Sequence, residues 1–317
     1  MALQILILIA GFIVLVKGAD LFVDAASSLA ENFKLSKMFI ALTIVAFGTS
    51  APELAVSISS MFNGSGDIVL GNVIGSNILN ILLILGVAGS IHALRVKNST
   101  VKKELPIVML LSVLLSVVMC DKLISGAKVN TITRSEGIII ILFFLVFVYY
   151  LISTMRNKTD EEENTKPKFN IVLSIIFTLV GIVCLVLGSH FVVDSASKIA
   201  KILHVSERMI SLTVVALGTS LPELVTSVVA TRKGEYDIAI GNVVGSNIFN
   251  IGIVIGLPVA LIGGINSFTI SYIDLIAMIL SGLLLFICSF KDYKISRKEG
   301  LLFLILFVIY YSYVIFC

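Results

Sequence analysis

Long apolar runs separated by short polar breaks dominate the sequence. A helix needs about 20 residues to cross a hydrocarbon layer of ~30 Å, and on that scale the pattern predicts ten transmembrane spans. They are 3–24, 39–62, 68–91, 105–120, 136–152, 169–194, 209–230, 238–262, 272–290 and 300–317. The one long hydrophilic stretch, 153–168, contains four consecutive acidic residues. It predicts a solvated connector between two groups of five spans.

Composition supports a membrane protein and excludes several other classes. Of 317 residues, 58% are hydrophobic and 14% are charged, whereas a soluble domain carries about 25% charged residues. A net charge of +3 without a basic, aromatic-rich patch argues against nucleic acid as a partner. The four cysteines are scattered and form no CxxC pair, so they predict neither a disulfide framework nor a metal centre. The expected surroundings are the lipid bilayer, and no cofactor is expected.

The distribution of Lys and Arg predicts the orientation. With the N-terminus outside, the cytoplasmic loops hold sixteen of these residues and the external loops hold six. Because cytoplasmic loops are enriched in positive charge, both termini are expected outside. The connector 153–168 is then cytoplasmic.

The chain contains an internal repeat at an offset of 170 residues. Residues 43–80 read TIVAFGTSAPELAVSISSMFNGSGDIVLGNVIGSNILN, and residues 213–250 read TVVALGTSLPELVTSVVATRKGEYDIAIGNVVGSNIFN, with 21 of 38 positions identical. The same offset matches Asp24 with Asp194 in spans 1 and 6. We therefore divide the chain into a first repeat at 1–152, the connector, and a second repeat at 169–317.

An odd number of spans per repeat has a topological consequence. The second copy enters the membrane from the opposite side, so the two halves are expected to be inverted repeats. This architecture is typical of secondary transporters, which bind substrate near the midplane where the copies meet. The fold class predicted is an all-α membrane protein of ten helices in two inverted five-helix repeats.

Glu53 and Glu223 lie in the middle of spans 2 and 7. A carboxylate there is costly unless it is paired or faces water, so it indicates a functional site. A glutamate that merely hydrogen-bonds a neighbouring helix is the alternative. Two glutamates at equivalent positions in GTSxPE sequences favour function.

Oxygen-bearing groups surround both glutamates. Thr49 and Ser50 share a helical face with Glu53, because residues three and four apart lie side by side. Pro52 lacks an amide hydrogen and crowds the carbonyl of Gly48, so the helix is expected to break there and free carbonyl oxygens. Such broken helices are tolerated in membranes only where they line a cavity. The second copy repeats this arrangement with Thr219, Ser220 and Pro222.

Spans 3 and 8 contribute the sequence GNxxGSNxxN. Asn72, Ser76 and Asn80 are four apart and form one stripe, and the second copy repeats it at 242, 246 and 250. Packing of small residues with amide hydrogen bonds would also explain these stripes. Their oxygens nevertheless complete a set of hard ligands suited to Ca²⁺, Mg²⁺ or Na⁺. Two carboxylates balance one Ca²⁺ or roughly two to three Na⁺, and a site that accepts either load suits antiport.

The doubled GTSAPE/GTSLPE and GNVIGSNILN/GNVVGSNIFN motifs resemble the α-repeats, here 43–82 and 213–252, of the sodium/calcium exchanger family within the calcium/cation antiporter superfamily. The resemblance implies exchange of inward-moving Na⁺ for outward-moving Ca²⁺ by a protein that works as a monomer, with spans 1 and 6 sliding across the core. Asn250 favours transport without K⁺, because potassium-coupled members carry Asp there. By the same resemblance, the ion ligands are the backbone of Ala46 and Ala216 with Thr49, Ser50, Glu53, Ser76, Asn80, Thr219, Ser220, Glu223, Ser246 and Asn250.

Two other functions remain open from the sequence. A Ca²⁺/H⁺ exchanger of the same superfamily would protonate Glu53 or Glu223, although the hydroxyl-rich GTS faces favour Na⁺. The other is a passive cation channel, although two inverted halves around one midplane site fit alternating access better than a continuous pore. An enzyme is not expected, since HExxH, GxSxG and paired catalytic Asp motifs are absent from the sequence.

Overall fold

The computed structural model describes residues 1–155, 166–205, 214, 216–268 and 271–316. Helices make up most of this structure. They are α1 Ala2–Phe33, α2 Lys37–Thr49, α3 Ala51–Phe62, α4 Gly66–Ile91, α5 Leu105–Val118, α6 Asp121–Ile124, α7 Arg134–Thr154, α8 Ile171–Ile202, α9 Ala216–Thr219, α10 Leu221–Arg232, α11 Tyr236–Leu261, α12 Tyr272–Asp292 and α13 Arg297–Phe316. Four short strands are β1 Leu94–Arg95, β2 Asn130–Ile132, β3 Ile265–Phe268 and β4 Lys294–Ile295.

The protein is an all-α membrane protein, as predicted. Among the described residues, seven helices are long and apolar enough to cross a membrane, and the bent pair α2–α3 makes an eighth span. Span 105–120 corresponds to α5, whose 14 residues follow a π-helical turn at Thr100–Glu104. Span 209–230 is described only in part, and most of the connector 153–168 lies outside the described residues. The total of ten spans therefore stays a prediction.

The helices α1 and α8 are longer than the apolar runs that predicted them. Each has 32 residues, whereas the expected spans ended at residues 24 and 194. The apolar run ends where polar residues begin, but the backbone stays helical because Ala- and Ser-rich turns remain packed, and Ala25 and Ala26 are fully buried. Helix α1 ends before Lys34, which adopts the left-handed conformation. The backbone amide of Lys34 donates to the backbone oxygens of Ala30 and Glu31.

The two long helices pack antiparallel against each other, and glycines allow the close approach. A Cβ on Gly18 would lie 2.5 Å from Cβ of Cys184, and one on Gly188 would lie 2.8 Å from the backbone nitrogen of Leu15. Both distances are shorter than real side chains tolerate. Glycine at these repeated positions therefore permits backbone-to-backbone contact, as small residues do in membrane helix pairs.

The short strands join distant loops at the two ends of the bundle. Strand β1 pairs antiparallel with β4, and β2 pairs antiparallel with β3. The loop after α4 thereby meets the loop after α12 at one end, and the loop after α11 meets the segment before α7 at the other. Each sheet contains one strand from each half of the chain.

Helices α4 and α11 form the centre of the molecule. About 72% and 78% of their most apolar windows are buried, against 28% for α1 and α8 and 11% for α13. The peripheral helices instead expose Leu, Ile and Val, as expected of surfaces that face lipid. The motif-bearing helices thus occupy the interior.

Candidate functional site

A break interrupts the helix of each GTSxPE motif. The axes of α2 and α3 differ by 47°, and Ser50 between them leaves helical geometry with φ −84° and ψ 9°. Ser220 has nearly the same angles, φ −88° and ψ 6°, between α9 and α10. Pro52 and Pro222 stand in the first turn of the helix that follows. The breaks lie where the prolines predict them, because a proline nitrogen cannot donate to the preceding turn.

The second break leaves a carbonyl that a neighbouring helix satisfies. Pro222 cannot donate to the carbonyl of Gly218, and the hydroxyl of Ser189 in α8 donates to that oxygen at 2.7 Å. The first copy has Ala19 at the position of Ser189. The two copies therefore satisfy their broken helices differently.

The two breaks place the midspan carboxylates against the serines of the opposite copy. Glu53 and Glu223 are each only 1% exposed. Ser50 donates to Oε1 of Glu223 at 3.0 Å, and Ser220 donates to Oε1 of Glu53 at 3.4 Å. Ser220 also contacts the hydroxyl of Ser76 at 3.3 Å. The carboxylates predicted from the repeat thus belong to one cluster built from both halves.

Thr49 connects this cluster to α11. Its hydroxyl donates to Oδ1 of Asn242 at 2.9 Å and lies 3.5 Å from the hydroxyl of Ser246. The amide of Asn242 donates to the backbone carbonyl of Glu223 at 3.3 Å, and Asn72 makes the equivalent bond to Glu53. These asparagines support the backbone that carries the carboxylates.

Asn80 and Asn250 begin matching π-helical turns, Asn80–Leu85 and Asn250–Ile255. Such wide turns are frequent at functional sites. Both asparagines are 1% exposed. Their amide nitrogens are hydrogen-bonded, whereas their Oδ1 atoms have no partner among the residues that the structure describes.

One oxygen of each central carboxylate also lacks a hydrogen-bond partner. Oε2 of Glu53 and Oε2 of Glu223 are buried without a hydrogen-bond partner in the described part of the chain. Four acceptor oxygens, two from each copy, are thus desolvated and unsatisfied. Buried polar atoms are normally paired, so a set of four requires an explanation.

The remaining predicted ligands lie beside this cluster. The carbonyl of Ala46 accepts the amide of Ser50 at 3.0 Å and the hydroxyl of Thr49 at 3.3 Å. Ala216 opens α9, and Thr219 closes it next to the break at Ser220. Thr219 is partly exposed whereas its counterpart Thr49 is buried, so the two copies differ here.

The sequence interpretation did not identify Asn77 and Asn247. They are 1% exposed, lie next to Ser76 and Ser246, and bond across the contact between α4 and α11. Their identity in both copies of GSN was the available signal.

The acidic residues of spans 1 and 6 form ion pairs. Asp24 bonds Lys233 at 2.6 Å and Lys168 at 2.5 Å, and Lys233 also pairs with Asp20 at 2.8 Å. Asp194, the equivalent of Asp24, pairs with Lys198 of its own helix at 2.7 Å. The Asp24–Lys233 ion pair thus joins α1 to the end of α10.

A protein-family model described as sodium/calcium exchanger protein matches residues 3–153 and 173–316. The chain belongs to the sodium/calcium exchanger family. It is therefore a multi-pass membrane transporter of the cation/Ca²⁺ antiporter type and not an enzyme. The match covers both halves of the chain, including both groups of clustered oxygens.

Two relatives and a solved structure are similar to this chain over most of its length. Sodium/calcium exchanger MaX1 of Methanosarcina acetivorans is 33% identical over 339 residues, with 96% of each chain covered. Inner membrane protein YrbG of Escherichia coli is 35% identical over 273 residues, 83% of this chain and 82% of that one. The sodium-calcium exchanger NCX_Mj, solved after soaking in 10 mM Na⁺ without Ca²⁺, superposes with a TM-score of 0.83. That comparison covers 97% of both chains at 28% identity.

Proposed function

We propose that this protein is a Na⁺/Ca²⁺ antiporter that couples Na⁺ influx to Ca²⁺ efflux by alternating access. The site is the cluster where the two broken helices meet α4 and α11. Its proposed ligands are the residues Ala46, Thr49, Ser50, Glu53, Ser76, Asn80, Ala216, Thr219, Ser220, Glu223, Ser246 and Asn250.

One observation carries this proposal, namely the four buried and unpartnered oxygens of Glu53, Glu223, Asn80 and Asn250. Carboxylate and amide oxygens are hard ligands, and Ca²⁺ takes 6–8 of them in flexible geometry. Hydroxyls of Ser50, Ser220 and Ser76 lie within the same hydrogen-bonded cluster. A cation bound here would satisfy acceptors that the protein leaves unpaired.

Charge favours exchange of Ca²⁺ for Na⁺. The site carries two carboxylates, and at low dielectric their repulsion makes an unneutralised pair unfavourable. One Ca²⁺ neutralises the pair, as do about two Na⁺ ions. Loading with either cation thus gives the protein a neutral centre, while the empty site stays charged.

The proposed transport cycle uses the two halves, 1–152 and 169–317, as inverted five-helix repeats in a ten-span monomer. Orientation follows from the excess of Lys and Arg, which places both termini outside and 153–168 in the cytoplasm. The α1–α8 pair slides across the core to expose the site to one side at a time. The glycine-mediated contact of α1 with α8 supports movement as one unit.

Flux of radioactive Ca²⁺ into proteoliposomes with imposed Na⁺, H⁺ or K⁺ gradients tests the function. We expect an outward Na⁺ gradient to drive Ca²⁺ uptake, with no requirement for K⁺. Uptake that follows a proton gradient and ignores Na⁺ would contradict Na⁺ coupling and assign a Ca²⁺/H⁺ exchanger. Downhill Ca²⁺ movement without any counter-ion would instead indicate a channel.

A further inference from the structure

Four buried asparagines form a ring where α4 crosses α11. Asn77 Nδ2 donates to the backbone oxygen of Asn247 at 3.3 Å, and Asn247 Nδ2 donates to the backbone oxygen of Asn77 at 3.2 Å. Asn80 Nδ2 donates to Oδ1 of Asn247 at 2.9 Å, and Asn250 Nδ2 donates to Oδ1 of Asn77 at 3.1 Å. The bonds come in pairs related by the 170-residue repeat.

Hydrogen-bond chemistry fixes the orientation of every amide in this ring. A backbone carbonyl can only accept, so Asn77 and Asn247 must present their nitrogens to it. Their Oδ1 atoms therefore face Asn250 and Asn80, which must present nitrogens in turn. The amides of Asn80 and Asn250 are the outer amides of the ring, and rotating either of them by 180° would bring two carbonyl oxygens together. The assignment of nitrogen and oxygen thus follows from the network rather than from convention.

The consequence appears at the outer amides. With Nδ2 of Asn80 and Asn250 engaged in the ring, both Oδ1 atoms point away from it. These are the two asparagine side-chain oxygens that are buried without a hydrogen-bond partner in the described structure. The reversed amide would offer hydrogens with partial positive charge to a cation and would repel it.

We propose that Asn77 and Asn247 are positioning residues for cation binding, each acting through one outer amide. Asn247 orients the carbonyl of Asn80, and Asn77 orients the carbonyl of Asn250. This inference rests on the proposed function, because it assumes that the cluster binds the transported cation.

The ring has two limbs, Asn247 with Asn80 and Asn77 with Asn250, and each can be changed separately. A double-mutant cycle that measures Ca²⁺ affinity therefore tests the proposed positioning role. Asn247→Ala removes the acceptor for Asn80, but leaves the backbone oxygen of Asn247 that holds Asn77. We expect Asn247→Ala to weaken Ca²⁺ binding at least about fivefold in the wild-type background and less than about twofold in an Asn80→Ala background. In an Asn250→Ala background the full effect should persist.

A packing role for Asn247 would weaken Ca²⁺ binding by the same factor in all three backgrounds, and that result would overturn the proposal. If Asn247→Ala does not give a monodisperse protein, the other limb supplies the same test with Asn77→Ala in Asn250→Ala and Asn80→Ala backgrounds. Glu53→Gln separates the two levels of the argument. If Ca²⁺ binding survives Glu53→Gln, the proposed site is wrong. If Glu53→Gln abolishes Ca²⁺ binding but the effects of the asparagine substitutions simply add, only the positioning role is wrong.

Discussion

The hydroxyl of Ser50 donates to Oε1 of Glu223, 3.0 Å away and 173 positions later in the chain. Ser220 makes the corresponding bond to Glu53. Each carboxylate is therefore held by the broken helix of the other copy. Neither half of the chain contains the complete cluster, so the proposed ion site depends on the contact between the halves.

These reciprocal bonds predict the effect of removing a hydroxyl. A hydrogen bond to a charged group contributes about 1.5–3 kcal/mol, so Ser50→Ala and Ser220→Ala should each weaken Ca²⁺ binding by roughly 10- to 150-fold. Ser50→Thr keeps a hydroxyl and should lose much less. Equilibrium binding of radioactive Ca²⁺ to purified protein measures the effect.

Ser112→Ala provides the matched control, because Ser112 is equally buried but donates to the carbonyl of Val108 within α5. It should bind Ca²⁺ like the wild type. Equal losses in Ser112→Ala and Ser50→Ala would show that the serine effect is general destabilisation.

Close packing of α11 against α2 predicts a second result. A Cβ on Gly245 would lie 3.0 Å from Cα and 3.1 Å from the backbone oxygen of Leu42, so neither helix can yield through a side-chain rotation. Gly245→Ala should destabilise the protein by about 1–3 kcal/mol and reduce exchange. A lowered thermal unfolding midpoint in detergent is the readout.

Gly282→Ala is the control for this substitution. Gly282 is buried in α12, but its added Cβ would meet only Met109, at 3.8 Å. Since Ala also favours a helix over Gly, this variant should be neutral or slightly stabilised. A midpoint for Gly245→Ala at or above that of Gly282→Ala would refute the packing argument.

The Asp24–Lys233 ion pair predicts a bias in conformation. It joins α1 to the end of α10, with side chains only 17% and 24% exposed, and sliding of α1 would have to break it. Such pairs contribute on the order of 1 kcal/mol. Asp24→Asn should therefore raise the population of the conformation in which the protein is open at the Asp24–Lys233 end by about fivefold.

A single reporter cysteine measures this bias. Ala230 is fully buried in a cluster with Ala26 of α1, so Ala230→Cys should react with an impermeant maleimide only when α1 moves away. With the native cysteines replaced, Asp24→Asn should accelerate labelling from the side of the membrane on which Lys168 and Lys233 lie. Asp194→Asn removes an ion pair within α8 and should leave the labelling rate unchanged. Equal labelling rates in the reporter protein and in both of its variants would show that the Asp24–Lys233 pair does not stabilise the closed conformation.

Sequence reasoning identified the carboxylates because charge inside a membrane is costly and because Glu53 and Glu223 repeat. It located the breaks because proline removes a specific hydrogen bond. The roles of Asn77 and Asn247 were inaccessible, since a buried asparagine fits helix packing equally well until the crossing of α4 and α11 is known.

Other features were missed for related reasons. The partners of Asp24 lie 144 and 209 positions away, and no local pattern encodes such pairs. The length of α1 was underestimated because hydropathy marks where apolar residues stop, and that point is not where the helix ends. The helix continues to Phe33.

The proposed mechanism requires Ca²⁺ and Na⁺ to compete for one site with two carboxylates. Displacement of radioactive Ca²⁺ from purified protein by Na⁺, at constant ionic strength, measures this competition. We predict complete displacement that depends more steeply than first order on Na⁺ concentration, and loss of Ca²⁺ binding in both Glu53→Gln and Glu223→Gln. Ca²⁺ that stays bound at saturating Na⁺, or near-normal Ca²⁺ binding in either variant, would show that the two cations do not share this site.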